Sequence, residues 1–196
     1  MKRWLYILFL LLPSCIFHKH AQQTTDPDQR TAITVTIKAN NLTEDGTIST
    51  HNDEIFCALL NTSADSSSRV ELLGCDMFTL DSVWQEYKFT AVPPDLNATG
   101  DLSLVLIEMD TDSSKSAMSR TVHDHYYELA HALKVNDQKT ISHILGDDDL
   151  LGIRAFAIDP LLKGKSLWVD IDGQQFFNHY SFTVTLDPWE ILLPQD

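Results

Sequence analysis

The sequence predicts an all-β fold, an eight-stranded antiparallel β-sandwich with a helical insertion (about 113–146) before the sixth strand. Three observations predict this class: short apolar or alternating segments recur, turn residues separate most of them, and one long segment has helical periodicity instead. The 196 residues with 43% hydrophobic content suffice for one domain with a sizeable core. The predicted strands are residues 31–39, 54–60, 69–78, 83–92, 101–109, 150–158, 166–171 and 177–186.

The first and last strands show why these segments are assigned to β-structure. "TAITVTIKA" (31–39) alternates between apolar and polar residues, which is the period of a strand with one buried face. Asp172-Gly173, between the last two predicted strands, favours a tight hairpin turn. We therefore assign the sandwich domain to residues 31–187 and a C-terminal tail to 188–196.

The insertion is assigned as helical from "HDHYYELAHALKV" (123–135). Val122, Tyr126, Leu129 and Leu133 fall on one stripe of such a helix. An excursion of this length is uncommon in a sandwich loop, so we expect it to be functional or to form an additional lid.

Polar side chains on the same helix offer a weaker candidate site. Asp124, Glu128 and His131 share one helical face, near His123 and His125, and could bind a transition metal. No C-x-x-C or H-E-x-x-H spacing accompanies them, so a solvated helix face is the favoured interpretation.

Residues 1–14 predict a signal peptide, because a basic start precedes an apolar run that is too short to span a bilayer. The Leu-Pro-Ser-Cys that follows resembles a bacterial lipobox and predicts lipidation of Cys15. Cleavage after Ala21, which would give a secreted protein, is the alternative. Residues 15–30 are polar and predict a tether. We expect export to the bacterial cell envelope, at the periplasm or surface.

Two further cysteines predict a disulfide in an oxidising compartment. Folding the chain as a hairpin about residue 66 sets Cys57 opposite Cys75, which predicts a cross-strand bond. Two free, half-buried thiols are the alternative, because a shift in register would separate them.

The charge balance restricts the class of partner. Lys and Arg number 14 against 28 Asp and Glu, which gives a formal net charge of −14. This excess of acid argues against nucleic acid, whose phosphates require a basic face. It also disfavours an anionic membrane surface, unless a bound cation neutralises the acids.

Aspartates follow or precede several predicted strands. Asp45 and Asp53 lie between the first two strands, and Asp110 and Asp112 form a D-x-D pair directly after "LSLVLIEM". Asp147, Asp148 and Asp149 come directly before the sixth strand. If these loops meet at one end of the sandwich, their oxygens supply the six to eight hard ligands that Ca²⁺ takes.

The order of these motifs resembles the C2 domain family, from about residue 32 to 186. "VTIKANNLTEDGTISTHNDEIFCAL" is similar to the family's opening strand, first metal loop and next strand, and "VWQEYKFTAVPPDL" to its W-x-E-x-F-x-F strand. "LSLVLIEMDTD" is similar to its strand ending in D-x-D, and "DDLLGIRAFAI" to its D-x-x-G strand start, in a phospholipase-like permutation. The chain departs from the family in its longer first loop, in Glu54 where the family has proline, and in the insertion. The resemblance implies Ca²⁺ ligands at Asp45, Asp53, Asp110, Asp112 and Asp149.

The leading functional hypothesis is therefore a non-catalytic, exported, lipid-anchored C2-like module. It would bind Ca²⁺ and dock on phospholipid head groups or on a protein partner. No G-x-S-x-G motif, glycine-rich phosphate loop or cysteine–histidine dyad is present in the sequence, so an enzyme is not expected.

Two other functions compete with it. One is a metal-free structural lipoprotein subunit of an envelope or secretion assembly, analogous in architecture to type VI secretion lipoproteins, with Ile48 and Met118 on its partner surface. The other is an accessory module that binds carbohydrate, which exposed aromatic platforms among Trp84, Trp168 and Trp189 would favour.

Overall fold

The computed structural model describes residues 31–44, 47–48, 53–62, 70–80, 84–91, 101–110, 113–157, 161, 165–175 and 178–191. Its elements in chain order are β1 (Thr31–Glu44), β2 (Thr47–Ile48), β3 (Asp53–Thr62), β4 (Val70–Leu80), β5 (Glu86–Ala91), β6 (Asp101–Met109), α1 (Lys115–Val135), α2 (Gln138–Leu145), β7 (Asp149–Ala157), β8 (Leu167–Gln175) and β9 (Asn178–Ile191). Each of the eight predicted strands is present, and β2 is an additional strand of 2 residues. The predicted class, an all-β sandwich with a helical insertion before the sixth predicted strand, is confirmed.

The strands form two antiparallel sheets. The first sheet has the order β2-β1-β9-β8, with β5 also paired to β1, and the second has the order β4-β3-β6-β7. The pairing of β1 with β9 continues to Thr31 opposite Ile191. Residues 188–191 therefore belong to the sheet, whereas the sequence placed them in the tail. Pro188 lies next to a register shift, where a missing N–H is tolerated.

Apolar side chains between the two sheets form the main core. In β1 every second residue from Ile33 to Ala39 is buried there, and the residues between them are partly exposed. The first sheet therefore has one buried face and one face in contact with solvent, as the alternating sequence predicts.

The second sheet is buried on both faces, because α1 packs on the side that faces away from the first sheet. Residues 102–109 of β6 are buried without a break, and so are residues 55–60 of β3. This arrangement gives three layers, in which continuous apolar runs mark the central sheet and alternation marks the outer one.

Helix α1 begins after the N-cap Ser114, whose hydroxyl accepts from the Ala117 N–H, and ends at Asn136 in the left-handed conformation. Its buried face includes Met118, which packs in the helix–sheet core. Met118 is therefore unavailable as the partner surface that the structural-subunit hypothesis assigned to it. The buried residues of α1 are Met118, Val122, Tyr126, Leu129 and Ala132.

A short second helix completes the insertion. Asp137 caps α2, because its carboxylate accepts from the Thr140 N–H at 3.2 Å and from the Thr140 hydroxyl at 2.7 Å. These bonds lower the pKa of Asp137 below its ordinary value. Neither α1 nor α2 combines the length and the apolar character needed to cross a lipid bilayer.

A β-bulge in the hairpin of β3 and β4 corrects the predicted disulfide. Near the turn, Leu60 pairs with Leu72, as a hairpin about residue 66 requires, but one residue further on the register shifts. Cys57 therefore lies opposite Asp76, and Cys75 lies opposite Ala58. Adjacent positions point to opposite faces, so Cys57 is in the inter-sheet core while Cys75 packs towards α1, and both thiols are free.

A second bulge, between β6 and β7, explains how apolar residues follow directly after three aspartates. Leu150 pairs with Ile107 and packs towards the helices, whereas Leu151 is the additional residue and packs between the sheets. Gly152 follows it, and a Cβ atom there would lie 2.5 Å from Ile171 Cγ2 on β8. The glycine thus permits the close approach of the edge strands β7 and β8.

Candidate metal centre

Three carboxylates meet where β6 ends and β7 begins. Glu108 is paired with Asp149 across the two antiparallel strands, and Asp110 follows the last residue of β6. One oxygen from each of Glu108, Asp110 and Asp149 can be chosen so that all three lie within 4.8 Å of one another. These three residues are called the acidic cluster below.

The spacing of these oxygens fits a single cation. Calcium–oxygen distances are about 2.3–2.6 Å, so two ligand oxygens on opposite sides of one ion are separated by up to ~5 Å. The oxygens of the acidic cluster lie within that limit, at 4.8 Å or less. One Ca²⁺ ion could therefore contact all three side chains with little rearrangement.

Glu108 is the unusual member of the acidic cluster, because its side chain is only 8% exposed. It is the one charged residue between Leu102 and Met109 in the sequence of β6. A buried carboxylate costs free energy unless a hydrogen bond, a proton or a cation compensates it.

Asp148 holds the two ends of the insertion together beside the acidic cluster. Its side chain is 3% exposed, and its Oδ1 accepts a hydrogen bond of 3.0 Å from the Asp110 N–H. The residue that leaves β6 is thereby fixed against the residue that precedes β7. The backbone on either side of the helices is thus ordered around the carboxylates.

The protonation of Asp110 is affected by this environment. Partial burial raises the pKa of the Asp110 carboxyl, a side-chain hydrogen bond with Glu108 lowers it, and the nearby carboxylates of Asp148 and Asp147 raise it. The net pKa is above the ordinary aspartate value. The Asp110 carboxyl therefore releases its proton at a higher pH than an isolated aspartate, and a cation bound there would compete with that proton.

The structure brings together two of the five ligands that the resemblance implies, Asp110 and Asp149. Asp53 is the first residue of β3 and adjoins Glu54, whose partner in β6 is Met109, so its backbone lies at the same end of the sheet. The side chain of Asp53 lies outside what the structure describes. So do residues Asp45 and Asp112 and the predicted signal peptide, tether and lipidated Cys15.

Glu108 was missed in the sequence analysis, although a signal was present. A charged residue inside "LSLVLIEM", a run that is otherwise almost wholly apolar, has to be either strongly compensated or functional. Asp110, two residues further on, was predicted as a ligand because it belongs to the D-x-D pair.

The histidine-bearing face of α1 is different in character. His123 Nδ1 lies 2.8 Å from Asp124 Oδ1, and His125 Nδ1 lies 3.1 Å from Glu128 Oε2, all on exposed side chains. In the described part of the chain, the acidic cluster is the only group of three or more such side chains with metal-binding spacing. The solvated-face interpretation is retained for α1.

Comparison with known proteins gives distant similarities. No family model matches the chain, and no curated protein matches it. A structure described as a C2 domain is 14% identical, with a TM-score of 0.38, over 80% of this chain and 98% of that domain. A C2 domain of plant extended synaptotagmin 1 is 10% identical, with a TM-score of 0.31, over 83% of this chain and 98% of that domain. At these values the two-sheet sandwich rests on the strand pairing itself, and membership of the C2 family stays a prediction.

Proposed function

We propose that this chain is a non-catalytic, C2-like binding module that takes up Ca²⁺ at the acidic cluster. The observation that supports it most strongly is the meeting of three carboxylates from two strands, with Glu108 buried and all three oxygens within 4.8 Å. A divalent cation would compensate the negative charge of these carboxylates.

The coordination sphere would be completed from loops at the same end of the sandwich. Ca²⁺ takes six to eight oxygen ligands, and the acidic cluster supplies three or more. The sequence offers Asp45, Asp53 and Asp112 as the next candidates, with water and backbone carbonyls for the rest. In this proposal the helical insertion, which is fixed by Asp148, borders the bound ion.

Cation binding would neutralise this end of the molecule, so that it could bind phosphate groups that it otherwise repels. The chain has a net charge of −14, so its acidic loops repel phosphate groups until an ion neutralises them. We propose that the Ca²⁺-bound end docks on phospholipid head groups or on an acidic protein surface. The predicted signal peptide and Cys15 would place the domain outside the cytoplasm, attached to the cell envelope by a lipid.

Calorimetric titration with Ca²⁺ tests the ion site. We expect one class of site in the wild-type chain, with a dissociation constant of about 10⁻⁴–10⁻³ M, typical of extracellular modules. Asp110→Asn removes one negative charge from the acidic cluster and is expected to weaken binding about tenfold or more. No heat of binding up to millimolar Ca²⁺ would argue against the site.

Asp101→Asn is the matched control. Asp101 is an exposed aspartate at the opposite end of the same strand, roughly 30 Å from Asp110 by the rise of a β-strand. It carries the same charge, so a general electrostatic effect would weaken Ca²⁺ binding equally in both variants. A selective loss in Asp110→Asn supports the site, and an equal loss contradicts it.

Vesicle sedimentation tests the docking step separately. Vesicles of phosphatidylcholine with phosphatidylserine should bind the chain in the presence of Ca²⁺ and release it on addition of a chelator. Binding that does not depend on Ca²⁺, or no binding when the site is saturated, would remove phospholipid from the proposal.

A further inference from the structure

Two exposed tryptophans lie on the first sheet, on the side of the molecule opposite the helices. Trp84 is 65% exposed and Trp168 is 73% exposed. An indole is the largest apolar side chain and is usually well buried, so two of them in solvent on one surface call for a physical explanation.

The strand register places both indoles on the outer face of the first sheet. Residues of β1 alternate between core and solvent, so Thr36 and Lys38 point outward. Trp168 pairs with Thr185, which pairs with Thr36, and therefore points the same way. Lys38 Nζ lies 5.2 Å from the centroid of the Trp84 ring, which sets this indole over the same face.

The two rings stand at opposite edges of that face. Trp168 is in β8, and Trp84 precedes β5 and donates its N–H to the Ala39 carbonyl of β1 at 2.7 Å. Counting strand spacings and residues along β1 gives roughly 20 Å between the two tryptophan Cα atoms. A ligand that contacts both must therefore be extended.

An ordered chain of polar side chains crosses the sheet between the indoles. Asn40 Nδ2 donates to Thr183 Oγ1 at 2.8 Å, and the Thr183 hydroxyl donates to Asp170 Oδ1 at 3.0 Å. These three residues are on β1, β9 and β8 respectively. Because they are already held in place, they offer further donor and acceptor positions to a ligand at a small cost in entropy.

The charges of this face disfavour an anionic ligand. In the described strands, the two lysines of the outward rows, Lys38 and Lys88, face an excess of acid, namely Glu86, Asp170, Asp172 and Asp187. An anionic ligand would also be repelled by the rest of the chain, whose net charge is −14.

We propose that the outer face of the first sheet binds an uncharged polysaccharide. Sugar rings present a flat face of C–H groups, which stacks on an indole, and hydroxyl groups at their edges, which match the Asn40–Thr183–Asp170 chain. A typical protein interface has an apolar centre and a polar rim. This face has polar side chains at its centre, in the described strands, and apolar rings at its ends.

The backbone at Trp84 supports a role for that ring and supplies a useful variant. Trp84 has a φ of 72°, in the left-handed region where bulky residues are rare. Glycine adopts this conformation without strain, so Trp84→Gly removes the indole without adding a backbone penalty. Binding can thus be tested in a variant that keeps its fold.

Retention of the full chain on insoluble cellulose and chitin, and its retardation in gels containing soluble amylopectin or β-glucan, test the proposal. We expect the wild-type chain to bind at least one of these polymers. Trp84→Gly and Trp168→Ala should each weaken that binding about tenfold or more, because each removes one stacking platform. Tyr127→Ala, which removes an aromatic ring that is 47% exposed on α1, should bind as the wild type does.

The assays are run with a chelator present, so that failure here and failure of the Ca²⁺ site are independent results. The proposal is overturned if none of the four polymers binds, or if both tryptophan variants bind as well as the wild type. The proposal is also overturned if the wild-type chain binds heparin more tightly than the neutral polymers. It is overturned as well if the tryptophan variants lose mainly binding to phosphatidylcholine vesicles.

Discussion

Glu108 is a carboxylate with almost no contact with solvent, and its neighbours explain how the fold accommodates it. Asp110 shares a hydrogen bond with it, and the Asp110 pKa is raised by partial burial and by the nearby carboxylates. In the metal-free protein these groups repel one another as they ionise. We therefore expect the acidic cluster to lower the stability of the metal-free chain.

A pH series on Asp110→Asn tests this interpretation. A raised pKa means that the folded state holds the proton above the pH at which the unfolded state loses it, so stability falls as the pH rises through that window. We expect that the stability of Asp110→Asn decreases less with rising pH than that of the wild type. The metal-free variant should therefore be more stable than the wild type at neutral pH. The gain should be under about 1 kcal/mol, because Asp110 is only partly buried and solvent screens its charge. Urea unfolding at several pH values measures this gain in stability, with Asp101→Asn as the control. If Asp110→Asn is less stable than the wild type, the interpretation is wrong.

Two glycines set the distance between the edge strands β7 and β8. A Cβ atom at Gly173 would clash with the Leu151 carbonyl, whereas one at Gly152 would meet the side chain of Ile171. Backbone cannot move aside as a side chain can, so Gly173→Ala should cost more, at least about 2 kcal/mol, and Gly152→Ala about 1–2 kcal/mol. Thermal unfolding of the two variants shows which is less stable. If Gly152→Ala is the less stable variant, β7 and β8 can move apart to accommodate a Cβ atom at Gly173.

Packing and a buried hydrogen bond attach the insertion to the second sheet. The Tyr126 hydroxyl of α1 donates to Ser103 Oγ of β6 at 2.8 Å, and Ser103 is fully buried. Apolar contacts alone would allow α1 to slide along the sheet, and this directional hydrogen bond fixes its position relative to β6.

A double-mutant cycle measures that contact. Tyr126→Phe and Ser103→Ala should each cost about 1 kcal/mol, because each leaves a buried hydroxyl with fewer partners. The double variant should be less destabilised than the sum, by about 0.5–1 kcal/mol. Strict additivity of the unfolding free energies would mean that the contact does not hold the helix.

The elements show which features the sequence could reveal. Period-two and period-3.6 patterns are local, so the eight strands and the helix around residues 123–135 could be predicted. The helix begins earlier, at Lys115, because Ser114 caps it, and the serine-rich start did not indicate this. The bulges could not be predicted, since an additional residue such as Leu73 or Leu151 is placed by packing between layers. The disulfide prediction was wrong for the same reason.

The candidate site was predictable only in part. Asp110 and Asp149 could be named because the D-x-D pair and the D-x-x-G strand start resemble the C2 domain motifs. Glu108 could be suspected as a lone charge in an apolar run, but its position opposite Asp149 depends on the strand register, which the sequence does not define. The outward position of Trp84 and Trp168 depends in the same way on which face of the first sheet remains in solvent.

At the scale of the whole molecule, the three layers separate two surfaces of different chemistry. The acidic cluster lies at one end of the central sheet, where the helical insertion leaves and returns. The outer face of the first sheet carries Trp84 and Trp168, both signs of charge, and the hydrogen-bonded chain of polar side chains between the indoles. One chain could therefore bind an ion and an extended neutral ligand independently.

The most direct test of the central claim is a crystal structure of the chain grown with Ca²⁺. We predict an ion with oxygen atoms of Glu108, Asp110 and Asp149 about 2.3–2.6 Å from it. Anomalous scattering from a Mn²⁺ or lanthanide soak would identify the same position. Crystals at millimolar Ca²⁺ in which these three carboxylates bind no ion, or in which the ion lies elsewhere, would contradict the account.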